Sequence, residues 1–237
     1  MKATFATITS AILLTASLLL PDLSFASEPR PVIAILGDSY STFEGHVTPA
    51  ENLVWYPAGG HDHTDVDSVQ YTWWRLLTDA PDSPGSLGVN NSYSGATICY
   101  TGYRGEDYSD RAFVTRMDSL GDPDIILVFG ATNDSWAGAP IGEYKYEDIT
   151  PDDLRSFRPA MARMLAGLGE LYPDAQVWFI LNTELKPEIN ESVETVCARY
   201  GVPVIKLEDI DKDWGHPTRK GMRAIALQVK EAMARRR

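Results

Sequence analysis

Pro31-Val32-Ile33-Ala34-Ile35-Leu36-Gly37-Asp38-Ser39 decides the fold: an apolar run without polar alternation leads straight into a Gly-Asp-Ser turn. Such a run is a strand buried on both faces, as in a parallel sheet. Similar runs bounded by Gly, Pro or Asp occur at 125 to 129 (Ile-Ile-Leu-Val-Phe), 177 to 181 (Val-Trp-Phe-Ile-Leu) and 202 to 205 (Val-Pro-Val-Ile). A weaker fifth strand is expected over 87 to 92. Helical patterns fall between them, over 68 to 79, 152 to 171, 188 to 200 and 217 to 235. Pro217 suits the first turn of the last helix, and Pro159 requires the second to start there or kink. Strands alternating with helices imply right-handed crossovers, hence an α/β fold: a three-layer α/β/α sandwich around a mainly parallel five-stranded sheet. In such sheets, sites form at the carboxyl ends of the strands.

The residues able to carry chemistry all fall at those ends. Ser39 follows the first strand, Gly95 the weak second one, and Gly130-Ala131-Thr132-Asn133-Asp134 the third, while Asp213-Trp214-Gly215-His216 occupies the last loop before the terminal helix. A serine hydroxyl is a poor nucleophile at neutral pH and needs a general base, itself oriented by a further group. His216 and Asp213 are the residue types for those roles. Each has a bland alternative: Ser39 could cap a helix, Asn133 could form an Asx turn, and Asp213 could cap the last helix. Convergence on one sheet edge favours the chemical reading. Asp38 reads as a structural hydrogen-bonder in the turn and Asp134 as a supporting residue.

With these blocks in order from Gly37 to His216, the chain resembles the SGNH hydrolases, or GDSL-type esterases, which have a flavodoxin-like sheet. The resemblance implies Ser39 as nucleophile, His216 as base and Asp213 as its orienting acid. It implies an oxyanion hole made by the Ser39 and Gly95 backbone N–H groups and the Asn133 side-chain amide, with no metal and no cofactor. Glycine at 95 lets the backbone approach the substrate without a Cβ in the way. One position departs from the pattern: the glycine expected two residues before Asn133 is Ala131, with Gly130 one residue early.

At 237 residues and 44% hydrophobic content, the chain fits one α/β domain over 27 to 237. Residues 1 to 26 read as a signal peptide, with Lys2, an apolar stretch from Ala11 to Leu20, and Ser24-Phe25-Ala26 at the cleavage end. The mature protein is therefore expected to be secreted or periplasmic, without a stable membrane span. Its charge of −12 is unchanged by cleavage, because Lys2 and Asp22 leave together. That charge repels phosphates and disfavours nucleic acid as a partner. Cys99 and Cys197, the only cysteines, read as free core residues, Cys197 from its helical spacing with Ile189, Val193 and Val196.

His61, His63, Asp65 and Asp67 are metal-ligand types that an extended segment would place on one side. Their spacing matches no fixed metal motif, so a polar substrate loop is the preferred reading. Trp55, Tyr56, Trp136 and Trp214, with Tyr100, Tyr103 and Tyr108, fall in loops on the site edge, where aromatic rings suit sugars. The first four are the expected substrate contacts. The long segment from Glu44 to Gln70 is expected to select the substrate. The reading that follows is an exported serine esterase deacetylating a carbohydrate ester, small molecule or oligosaccharide. The alternatives are a lipid or thioester acylhydrolase, an acyltransferase, or a non-catalytic carbohydrate-binding protein.

Overall fold

The computed structural model describes residues 30–236; the expected signal peptide lies outside them. The strands are β1 (Val32–Gly37), β2 (Ser86–Ser92), β3 (Ile125–Gly130), β4 (Gln176–Leu181) and β5 (Val204–Lys206), followed by the short β6 (Lys212–Asp213) and β7 (His216–Pro217). The helices are α1 (Trp73–Thr78), α2 (Phe113–Arg116), α3 (Thr132–Ala137), α4 (Phe157–Leu171), α5 (Pro187–Arg199) and α6 (Arg219–Ala234). The first five strands form one sheet in the order β2-β1-β3-β4-β5, parallel at every pairing. That is the flavodoxin-like order, whose switch point lies between β1 and β3.

Both faces of the sheet are buried, which is why its strands lack alternation. Ala34, Leu36, Ile126 and Val128 point into a core with Phe113, α4 and α5. Ile33, Ile35, Ile125, Leu127 and Phe129 point into a second core with α1 and α6. The apolar stripe of α6, at Met222, Ile225, Ala226, Val229 and Met233, repeats at helical spacing. Cys99 and Cys197 are free and buried.

Three helix boundaries differ from expectation. Residues 68 to 79 divide into a 3₁₀ turn, Val69–Tyr71, and α1. The helix expected from 152 begins at Phe157, so Pro159 sits in its first turn, where its missing N–H costs no helical bond. Pro217 lies in β7, and α6 starts after Thr218, whose hydroxyl accepts from the Gly221 N–H at 3.2 Å. A hydroxyl cap satisfies a helix-end donor better than proline could. The effect is to place His216 on a tight β6-β7 hairpin.

Candidate active site

β1 ends at Gly37, and the chain turns sharply into a short 3₁₀ segment, Ser39–Ser41. Asp38 makes that turn: its Oδ1 accepts the Tyr40 N–H at 3.0 Å. Gly37 permits it, since a Cβ there would stand 2.5 Å from the Ser92 hydroxyl. Asp38 is fully buried, and that burial raises its carboxyl to about 7. Behind it lies Arg116, also buried, donating to the Gly37 carbonyl at 3.1 Å and to the Asn91 carbonyl and side chain. Burial pushes this guanidinium down to about 9.

Ser39 Oγ lies 3.0 Å from His216 Nε2. On the other side of the ring, Nδ1 is 3.1 Å from the Trp214 carbonyl. A carbonyl only accepts, so Nδ1 carries the proton and Nε2 presents its lone pair to the serine hydroxyl. This is the tautomer a general base requires. His216 is only 6% exposed, and that burial lowers its pKa to about 4.

Asp213 departs from the expected arrangement. Its side chain is exposed, and the group on His216 Nδ1 is the backbone of Trp214. The reason is the hairpin: Asp213 pairs with His216 across β6-β7, and Trp214 and Gly215 turn through left-handed φ values of 48° and 74°. That turn aims a carbonyl at the imidazole.

Of the expected oxyanion donors, Asn133 and the Gly95 segment are brought together. Asn133 Nδ2 donates to the Ala96 carbonyl at 3.0 Å, beside Gly95, and keeps its second hydrogen. The Tyr103 hydroxyl donates to Asn133 Oδ1 at 2.8 Å and so fixes which way the amide faces. The N–H groups of Ser39 and Gly95 have no acceptor among the described residues. Gly95 has φ +82°, and a Cβ there would meet nothing within 4 Å, so backbone conformation, with no steric contact, calls for glycine. Asp134 accepts from the Ile98 N–H at 2.9 Å and the Cys99 N–H at 3.2 Å, tying the Gly95 loop to α3. Burial raises Asp134 to about 6. Ala131 adopts φ +72°, a glycine-like conformation. Gly130 answers a different demand: a Cβ there would lie 2.6 Å from the Phe113 ring.

Among the expected substrate aromatics, Trp136 and Trp214 are 42% and 68% exposed. Trp55 lies flat on the His216 ring, centroids 3.7 Å apart and planes 7° apart. Tyr56 is a correction: it is fully buried, with its hydroxyl donating to the Pro217 carbonyl at 3.0 Å, so it supports the hairpin and is closed to substrate. The His61 to Asp67 loop is also tied down. His61 Nε2 lies 3.2 Å from the Trp55 carbonyl, Asp65 accepts the Arg219 N–H, and Asp67 pairs with the Arg219 guanidinium. No cluster suited to a metal ion occurs among the described residues, and no described helix is long and apolar enough to cross a membrane.

Sequence reasoning did not single out Tyr103 as the Asn133 partner, Arg116 as the buried support, or the Trp214 carbonyl. The first two depend on contacts 30 and 79 residues apart in sequence. The third belongs to the backbone and has no residue-type signal.

The sequence profile of GDSL-like lipases and acylhydrolases matches residues 31–233. The chain belongs to this family of ester hydrolases, in agreement with the resemblance its motifs carry. Two solved structures described as GDSL-like lipases are each 52% identical to it. The one from Bacteroides ovatus has a TM-score of 0.85, covering 88% of this chain and 100% of its own. The one from Bacteroides uniformis has a TM-score of 0.84, covering 87% and 96%. A family two carbohydrate esterase from Clostridium thermocellum, solved with cellohexaose, is 15% identical with a TM-score of 0.59, covering 88% of this chain and 65% of its own. At that identity it shares the fold alone. A search of curated proteins gave no match.

Proposed function

We propose that the chain is an exported serine esterase that removes short acyl groups, acetyl foremost, from a carbohydrate. The observation that carries the serine mechanism is the Ser39 Oγ to His216 Nε2 contact of 3.0 Å, combined with a carbonyl on Nδ1 that fixes the base-competent tautomer. Ser39 Oγ attacks the ester carbonyl carbon as its proton passes to Nε2. The developing oxyanion takes hydrogen bonds from the Ser39 and Gly95 N–H groups and the free hydrogen of Asn133 Nδ2. Nε2 then protonates the departing alcohol, leaving an acyl group on Ser39. Water attacks this ester, yields its proton to Nε2, and the acid leaves as Ser39 Oγ is reprotonated. Ester and water thus become acid and alcohol, and the enzyme is restored.

The carbohydrate reading is supported by two exposed indoles, Trp136 edge-on to His216 at 5.9 Å and Trp214 packed on His63 at 4.1 Å, since sugar faces pack on such surfaces. Export rests on residues 1 to 26 and is tested by N-terminal sequencing of secreted protein. Hydrolysis of a chromogenic acetyl ester by wild type and Ser39→Ala tests the mechanism. Activity in the first and near-total loss in the second is expected; equal rates would remove Ser39 from the reaction. Faster cleavage of long-chain than of acetyl esters would overturn the carbohydrate assignment.

A further inference from the structure

In acyl transfer through Ser39 the base must become an imidazolium, and around His216 the structure supplies little opposite charge to receive it. The groups whose charge acts on it are His61 and Lys212, both of which oppose a positive charge on the ring, and the titratable Tyr40 and Tyr56 beside it are neutral phenols raised further by burial. Nδ1 meets a neutral carbonyl, and Asp213 faces solvent. What covers the ring is aromatic: Trp55 on one face at 3.7 Å, with Tyr40 tilted at 5.4 Å and Trp136 edge-on at 5.9 Å.

We propose that Trp55 is the positioning residue of the general base: its indole face holds the His216 imidazole in plane and stabilises the imidazolium through its π electrons, the part a carboxylate would otherwise take. This rests on the serine mechanism above. A cation over an indole face is attracted by the ring quadrupole, most strongly when water is excluded, and His216 is buried. Trp55 is itself anchored to the nucleophile. Its backbone N–H donates to Thr42 Oγ1 at 2.9 Å, and that hydroxyl donates to the Ser39 carbonyl at 2.9 Å. From the far side, His61 sits edge-on to the indole at 5.2 Å and lies 3.2 Å from its carbonyl. The segment inserted after the first strand thus delivers a ring to the base, and its placement does not require Trp55 to touch substrate.

The test is steady-state kinetics on an acetyl ester, reading kcat against KM. Trp55→Leu keeps an apolar cover but no π face, and should lower kcat about 10- to 30-fold with KM within about twofold. Trp55→Phe should recover most of that loss. Tryptophans of increasing fluorination, incorporated at position 55 alone, keep the shape while draining the π face, so they read out even if Trp55→Leu does not fold; kcat should fall stepwise. A flat response to fluorination, or a rise in KM with kcat unchanged, overturns the proposal and makes Trp55 inert packing or a substrate contact. The Ser39→Ala control separates the two failures: a wild type no faster than that control removes the serine mechanism and this inference with it, whereas an active wild type with indifferent position-55 variants removes the inference alone.

Discussion

The two partners of the Ser39 to His216 hydrogen bond rest on opposite materials. On the nucleophile side, Asp38, Arg116, Asn133 and Asp134 form a buried polar framework in which backbone carbonyls and amides are tied at fixed lengths. On the base side, Trp55, Tyr40 and Trp136 surround the imidazole, and its hydrogen bond goes to a carbonyl. Under the proposed serine mechanism, the difference follows from timing. The nucleophile side must present donors to charge that appears on the substrate, so its polar groups are held rigid in advance. The base side must keep a neutral imidazole neutral until the moment of transfer, and an apolar, aromatic surround does that by burial. One cost is visible in each: carboxyls raised to about 7 and about 6 on the first side, an imidazole lowered to about 4 on the second.

The inserted segment joins the two halves. Its Leu53 carbonyl accepts the Ser94 N–H at 2.8 Å, next to Gly95, while Trp55 two residues on covers His216. One loop therefore braces the Gly95 segment and His216 together.

The sharpest way to break this contrast is on the polar side. Asn133→Ala should lower kcat about 100- to 1000-fold, the usual loss for one oxyanion donor, and cost about 1–3 kcal/mol of stability because the Ala96 carbonyl and Tyr103 hydroxyl lose their partner; a loss below about tenfold in acetyl-ester kinetics of the folded variant would remove Asn133 from the oxyanion site. The next effect lies on the base side and is read as pH dependence. A lowered pKa keeps His216 neutral further into acid, so the acid limb of kcat/KM should fall near pH 4, not near the ordinary 6.5. At pH 5 a group of pKa 4 is about nine-tenths neutral and one of 6.5 only about 3%, a difference of about 30-fold in rate. An acid limb near 6.5 would show that the aromatic cover does not exclude water.

Tyr103→Phe sharpens the polar side more gently. It removes the hydrogen bond that orients the Asn133 amide and should cost about 3- to 10-fold in kcat, with KM held. Asp213→Asn should change kcat by less than about threefold, whereas removing the charge of an orienting acid in a triad costs on the order of 10⁴. A loss of that larger size would restore Asp213 to the imidazole and end the contrast between the two sides. Smallest of all, Ala131→Gly should shift stability by no more than about 1 kcal/mol in chemical denaturation. Relief of the left-handed backbone is offset by the greater freedom of glycine in the unfolded chain and the loss of a buried methyl.

The sequence by itself determined the sheet and the placement of Ser39, Gly95 and Asn133 at its carboxyl edge. Strands buried on both faces must be apolar throughout, so β1, β3 and β4 stand out as runs. Ser39, Gly95 and Asn133 lie two or three residues past strand ends, and a strand end fixes its next residues in space. Helix limits were less legible at Thr72 and Ser156, where local turns outweigh periodicity, and at Thr218, where a side-chain cap does. The tertiary structure alone decided the base half. Whether Asp213 or the Trp214 carbonyl reaches His216 depends on two left-handed residues in a four-residue hairpin, and every residue has the same carbonyl. The fates of the aromatic residues were equally hidden: neighbours in sequence, Trp55 stacks on the base while Tyr56 is sealed beneath the hairpin. Aromatic type states that a ring will bury area; only the packing of segments distant in sequence states against what.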